Sequence, residues 1–169
     1  DRCVLATSSE LISAEEGREV DRVALTHPLS TCGYLSTVHL LHWRSISINA
    51  NDYSYLGSHE AVALAVAQRE AFMGGLKDAI AERYTGLGVQ IIDRTERLPG
   101  FALVANGATV SAGEISAIRT ALLRRDGAEL SELDVGRYGF ASIDEEAYRR
   151  VVDMIDESGI SVSVEGIVP

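Results

Sequence analysis

The chain has 169 residues, a formal net charge of −10 and 46% hydrophobic residues, which suffices for one domain with a real core and leaves two full domains crowded. The acidic balance excludes nucleic acid or an anionic membrane surface as a partner engaged through basic residues, and no apolar run reaches the roughly 18 residues of a membrane span. We therefore expect a single compact domain over 1–169, with no nucleic acid and no membrane among its partners. No charged-then-apolar leader is visible at the start, and the default location is cytoplasmic.

In chain order, 3–6 (CVLA) reads as a short buried strand. Ser13 to Glu16 has the S-x-x-E form of a helix-opening box, with Gly17 soon after it. Val20 to Leu25 reads as a strand that Thr26-His27-Pro28 breaks, because the residue before proline avoids the helical region. Tyr34, Leu35, Val38, Leu41 and His42 fit one helical face, and Arg44 to Asn49 alternates like a strand. Residues 49–58 form a polar loop containing Tyr53 and Tyr55.

The segment around which we organise the chain is 58–84, the longest run without proline. Ser58 can cap a helix there, and Val62, Val66, Arg69, Met73, Leu76, Ile80 and Tyr84 recur at spacings of three and four. Residues 61–67 are apolar on every side, as in a helix covered from several directions. Gly74-Gly75 inside the pattern predicts a kink or a close backbone contact, and Gly86 or Gly88 supplies a left-handed stop. Beyond it, 89–93 and 101–105 read as two strands of a hairpin, and Asn106-Gly107 as a turn. Two further helices follow, over 112–125 opened by Ser111 and Glu114, and over 143–157 opened by Ser142 and Glu145. Residues 160–164 alternate like a half-exposed strand. The expected fold class is α+β, a sheet packed against a long central helix (58–84) and the two C-terminal helices.

Chemical signals are sparse. Gly-rich phosphate loops ending in Lys-Ser or Lys-Thr, G-x-S-x-G, H-E-x-x-H and C-x-x-C are missing. Cys3 and Cys32 lack metal-finger spacing and read as two small buried hydrophobes in a reducing compartment, with a single disulfide as the alternative in an exported protein. His39 and His42, three apart on a helix, share a face; with His59, Asp78 and Glu82 they are the candidate ligands of a divalent metal, the one cofactor this chemistry suggests. His39, His42, His59 and Cys32 are the candidate catalytic side chains, next to a carboxylate.

His39-x-x-His42-Trp43, His59-Glu60 and Asp78-x-x-x-Glu82-Arg83 together resemble the first half of the ferritin-like mini-ferritins that protect DNA. That resemblance implies a four-helix bundle that oxidises iron, with His42, His59, Asp78 and Glu82 as ligands. Three functions are thus in view. The first is a binding or self-assembly protein, a homo-oligomer or the partner of another protein, in which a neighbour covers the apolar helix. The second is a small hydrolytic or metal-assisted enzyme using His39, His42 or His59, and the third is the iron protein.

Overall fold

The structure, a computed structural model, describes residues 2–8, 22–47, 52–125, 139–143, 146–163 and 166–168. The helix-opening box at Ser13–Glu16 and the cap residue Glu145 lie outside the described residues, as do Val20 and Val164 at the ends of two expected strands. The chain divides into two compact units, one of 1–99 with 148–169 and one of 100–147.

The first unit is built on a five-stranded sheet. Its strands are β1 (Cys3–Ser8), β2 (Val23–Leu25), β3 (Tyr53–Tyr55), β4 (Met73–Lys77) and β5 (Val89–Arg94), in the order β3-β2-β4-β1-β5. β2 runs parallel to both β3 and β4, whereas β1 is antiparallel to β4 and β5. After β2 a π-helical turn (Thr31–Leu35) runs straight into helix α1 (Ser36–Trp43). Helix α2 (His59–Ala67) follows β3. A short helix α3 (Asp78–Ala81) and a 3-10 segment (Glu82–Leu87) follow β4.

Side-chain alternation along the strands sorts the core into two layers. Val4, Ala6, Ala24 and Leu76 pack with Val62, Ala63, Ala65 and Val66 of α2, while Leu5, Val23, Leu25 and Met73 pack with Tyr34, Leu40 and Leu41 beside and on α1. A sheet covered on both faces needs strands apolar at every position, and every residue of β1 is buried. The expectation of a helix covered from several sides holds only in part for 59–67: Val62, Ala63 and Val66 are fully buried, but Leu64 is 43% exposed. Its cover, however, is the chain's own sheet, with α3 and the 3-10 segment at one end.

The class α+β is as expected; the central helix of 58–84 is not. It ends at Ala67, and Met73–Lys77 is the middle strand of the sheet. The stop is a Schellman motif: Glu70 N–H donates to Ala65 O (2.9 Å) and Arg69 N–H to Val66 O (3.1 Å), with Arg69 at φ +64°. A left-handed residue there is normally glycine or asparagine, so an arginine leaves no mark in the sequence. The kink or close contact expected at Gly74-Gly75 resolves as close contact on both faces. A Cβ at Gly74 would lie 2.7 Å from Val62 Cγ1 and 2.8 Å from Val66 Cγ2, and one at Gly75 would land on Thr37 Oγ1. Gly88, at φ +90°, supplies the left-handed stop of the 3-10 segment.

Other boundaries move as well. Arg44 to Ser47 is a turn and coil with Ser45 at φ +57°, not a strand. The polar loop of 49–58 contains β3. Residues 101–105 form no strand, which removes the hairpin; Phe101 and Val104 are 99% and 91% exposed. In the second unit, α4 (Ala112–Leu123) begins at the expected capping box: Ser111 N–H donates to Glu114 Oε2 (2.9 Å) and Glu114 N–H to Ser111 Oγ (3.3 Å). Returning to the first unit, α5 (Glu146–Glu157) packs Met154 against Cys3, Cys32, Leu35 and Leu98. The expected C-terminal strand is β6 (Ser161–Ser163), which pairs with β7 (Gly166–Val168).

Candidate functional site

The chain leaves β2 over one face of the sheet through α1 to reach β3, then returns over the other face through α2 to reach β4 on the far side of β2. β2 is therefore a topological switch point. In open sheets with parallel strands, the crevice at the carboxyl ends beside such a point is where ligands bind.

Two helix N-termini meet there. After β2, the turn Thr26–Ser30 closes through Ser30 N–H to His27 O (3.0 Å). Ser30 caps the π turn: its Oγ accepts from Gly33 N–H (2.9 Å), and its carbonyl accepts from both Tyr34 (2.9 Å) and Leu35 (3.2 Å). A π turn is wider than an α turn and recurs at functional sites. Gly33 is obligatory on steric grounds, since a Cβ there would fall on Thr26 Oγ1 and 2.9 Å from Ser30 Oγ. After β3, Gly57 at φ +82° turns the chain into α2, and Ser58 Oγ accepts from Ala61 N–H (3.1 Å). Leu56 N–H to Leu25 O (2.8 Å) and Gly57 N–H to Thr26 O (2.9 Å) zip the two turns together.

Thr26 is common to both turns. Its carbonyl receives Gly57, and its side chain faces Gly33. The residue is only 5% exposed, and Oγ1 is buried without a hydrogen-bond partner. The first-turn amides of Thr31 and Cys32, and those of His59 and Glu60, have no acceptor within their own helices. Each helix also presents about half a positive charge at this end. Exposed Thr31 and Ser58 and half-buried His59 border the same corner.

His59 has a fixed tautomer. Lys77 N–H donates to its Nδ1 (3.3 Å), so the ring proton of the neutral imidazole is on Nε2. Burial, then the nearby Lys77 charge, lower its pKa below the ordinary value of 6.5, against an opposing pull from Glu60. The ring is neutral at pH 7 and serves as a donor. The corner as a whole offers backbone N–H, hydroxyl and imidazole N–H groups, a donor set suited to an oxyanion.

The other expected site residues lie elsewhere. His39 and His42 are on α1. Half-buried His39 stands edge-on to Trp43 (6.1 Å between ring centres), with Nδ1 3.7 Å from Glu157 Oε2. Exposed His42 lines an open cavity with Val38, Ser45, Ile46, Tyr53 and Ser158. Asp78 and Glu82 share Arg94 at 3.1 and 3.8 Å, so both carboxylates are engaged by one guanidinium. Among the described residues no three His, Cys, Asp or Glu side chains come together to hold a metal ion. The metal set His39, His42, His59, Asp78 and Glu82 is thus spread over three places, and the divalent-metal expectation is corrected. Cys32 is bonded to Cys3 and carries no free thiol.

Sequence reasoning missed Thr26, Ser30, Thr31 and Gly33. The signal was available: two short strands, the apolar VAL and the mixed YSY, each lead within a few residues into a serine cap, L-S-T-C-G and L-G-S-H.

Parallel strands, a switch point and converging helix N-termini describe an α+β ligand-binding domain. The chain belongs to the family described as ABC transporter, phosphonate, periplasmic substrate-binding protein, whose model matches residues 4–148. Similar solved structures include PhnD1 from Prochlorococcus marinus in complex with methylphosphonate (TM-score 0.70, 14% identity, 94% of this chain and 66% of that one). A Xanthomonas citri protein bound to chloride ion is also similar (TM-score 0.64, 17% identity, 94% and 65%). So is a binding protein component of an ABC phosphonate transporter from Pseudomonas aeruginosa (TM-score 0.65, 14% identity, 98% and 62%). The chain thus spans a little under two thirds of the length of these structures. No curated protein matches it in sequence.

The family and the fold correct several expectations. A substrate-binding protein is neither a self-assembly module nor a hydrolytic or metal-assisted enzyme, and the homo-oligomer has no support in it. The mini-ferritin resemblance fails, since that family is a helical bundle and this fold is a sheet between helices. The family is periplasmic, which replaces the cytoplasmic default. The Cys3–Cys32 disulfide agrees, because such bonds persist in oxidising compartments.

Proposed function

We propose that this protein captures a small tetrahedral oxyanion of the phosphonate or phosphate type and delivers it to the membrane components of an ABC transporter. The observation that carries the reading is the meeting of the Ser30–Gly33 and Ser58–His59 turns at the carboxyl end of β2, where uncapped amides and a neutral imidazole N–H converge. Thr31, through its hydroxyl and amide, and Cys32, through its amide, donate from one wall; His59 and the α2 amides donate from the other. A tetrahedral oxyanion has enough acceptor oxygens to satisfy both walls together, as a planar carboxylate has not. His59 accepts from Lys77 through Nδ1 and presents Nε2–H, so it acts as a donor and not as a base for the Thr31 hydroxyl, which fits capture and release rather than turnover.

Isothermal titration with methylphosphonate, inorganic phosphate, sulfate and acetate tests this. The expected result is binding of the first two and at least roughly tenfold weaker binding of acetate, the difference of about one lost hydrogen bond to a charged group. Equal affinity for all four, or none for any, overturns the reading.

A further inference from the structure

The disulfide sits where it can act on this site. Cys32 lies between Thr31 and Gly33 in the π turn, so its own amide is one of the proposed donors. Its partner Cys3 begins β1 and is held from both sides. Cys3 N–H donates to Thr95 Oγ1 (3.1 Å), Thr95 N–H donates to Cys3 O (2.9 Å), and across the sheet Cys3 stands opposite Lys77 of β4. Lys77 in turn donates its N–H to His59 Nδ1. A short path therefore runs from the first donor wall through the disulfide to β1, across the β1–β4 ladder to Lys77, and into the second donor wall. Both cysteines are buried, at 0% and 5% exposure, with Leu35, Leu98 and Met154 around them.

Without the bond the π turn would keep its Ser30 cap, the Gly33–Thr26 contact and weak bonds from Thr37 Oγ1 to Cys32 O (3.4 Å) and Gly33 O (3.5 Å). These hold the turn to itself, to β2 and to α1. Against β1 it would keep apolar packing, Tyr34 with Leu5 and Leu35 in one cluster with Cys3, which has no direction; the disulfide is the covalent tie between turn and strand.

We infer that the Cys3–Cys32 disulfide is a positioning element of the anion site, setting the π turn at the spacing from His59 that one ligand needs to reach both walls. The inference rests on the ligand reading of the previous subsection. The test is titration of methylphosphonate into the oxidised protein, the same protein reduced with a phosphine, and the variants Cys3→Ala/Cys32→Ala and Cys3→Ala/Cys32→Ser. Measurements are made well below the melting temperature of each form, with circular dichroism establishing the fold.

The bond-free forms should bind roughly tenfold or more weakly, the equivalent of losing about one amide-to-anion hydrogen bond. A bond that merely stabilised the fold would lower the melting temperature and leave the affinity alone. Equal affinity in all folded forms overturns this inference while sparing the ligand reading. Failure of the oxidised protein to bind methylphosphonate or phosphate overturns both. Loss of the fold in every bond-free form also overturns it, since the bond would then hold the domain and not the turn.

Discussion

The sharpest consequence of the fold concerns Gly75, the third residue of β4. Substitution by alanine asks for space that α1 already occupies: the new Cβ would land on Thr37 Oγ1, 2.8 Å from Thr37 Cβ and 3.1 Å from Cγ2. Thr37 has nowhere to retreat, because it is fully buried. Overpacking of this kind costs about 1–3 kcal/mol. Alanine returns roughly 0.4–1 kcal/mol through the lower entropy of the unfolded chain. The net loss is about 1–2 kcal/mol, or roughly 2–8 °C in melting temperature for a chain of this size.

Thermal and urea denaturation of Gly75→Ala measure it, with Gly86→Ala as the control. Nothing lies within 4 Å of a Cβ at Gly86 and its φ is not left-handed, so that variant should melt at or slightly above the parent. Thr37→Ala in the Gly75→Ala background removes Oγ1 and Cγ2 but leaves the Cβ contact, so it should recover part of the loss. A Gly75→Ala protein as stable as the parent, or a double variant with no recovery, would refute the close approach of β4 and α1.

Several shorter tests follow from the same structure. Thr31→Ala should weaken phosphonate binding roughly tenfold, read by titration, with little change in melting temperature because the residue is exposed. His39 and His59 both have pKa values lowered, first by burial, so the folded protein binds fewer protons than the unfolded chain just below pH 6.5. Stability should therefore be full above about pH 6.5 and fall as the pH drops through their folded values; His39→Asn/His59→Asn should flatten that slope in urea midpoints. Arg94→Ala breaks exposed ion pairs with Asp78 and Glu82 and should cost about 1 kcal/mol or less, while chelator treatment leaves the melting temperature unchanged. Ser111→Ala removes the hydroxyl half of the α4 capping box, the acceptor of the Glu114 N–H, and should speed hydrogen exchange at the Glu114 amide, with a local cost of about 1 kcal/mol.

What the sequence made legible was whatever local pattern controls. Continuous apolarity placed β1, the serine cap and apolar girth placed α2, and the reciprocal Ser111–Glu114 signal placed the start of α4. What it hid was decided by distant parts of the chain. Met-Gly-Gly-Leu-Lys has poor propensity for strand and helix alike. It becomes the central strand because two helices must approach it, and only glycine leaves them room. The end of α2 was invisible for a different reason, as a left-handed Arg69 took the place of the expected glycine. At the site, His59 was singled out from its neighbours in sequence as a metal ligand. Its role is set instead by Lys77 and by the turn after β2, neither of which a spacing rule connects to it. Ser30 and Thr31 precede the residues whose spacing fits a helical face, because a π turn breaks the 3.6-residue rhythm just where the helix begins.

The acidic composition does not contradict the proposed capture of an anion once the distances are considered. A net charge of −10 describes a field summed over the whole surface, and at physiological salt that field decays over about 8 Å. Donors in a helix first turn act at about 3 Å, from partial charges that no count of lysines and arginines includes. The carboxylates nearest the site are partly neutralised in addition: Asp78 and Glu82 by Arg94, and exposed Glu60 by Arg83 at 4.0 Å. The composition rules out binding that needs a broad positive footprint, because counterion release requires many cations over a long surface. It says nothing against a single oxyanion held in a pocket of amides. For the same reason, affinity at this corner should depend only weakly on salt, whereas any contact with a polyanion would be abolished by it.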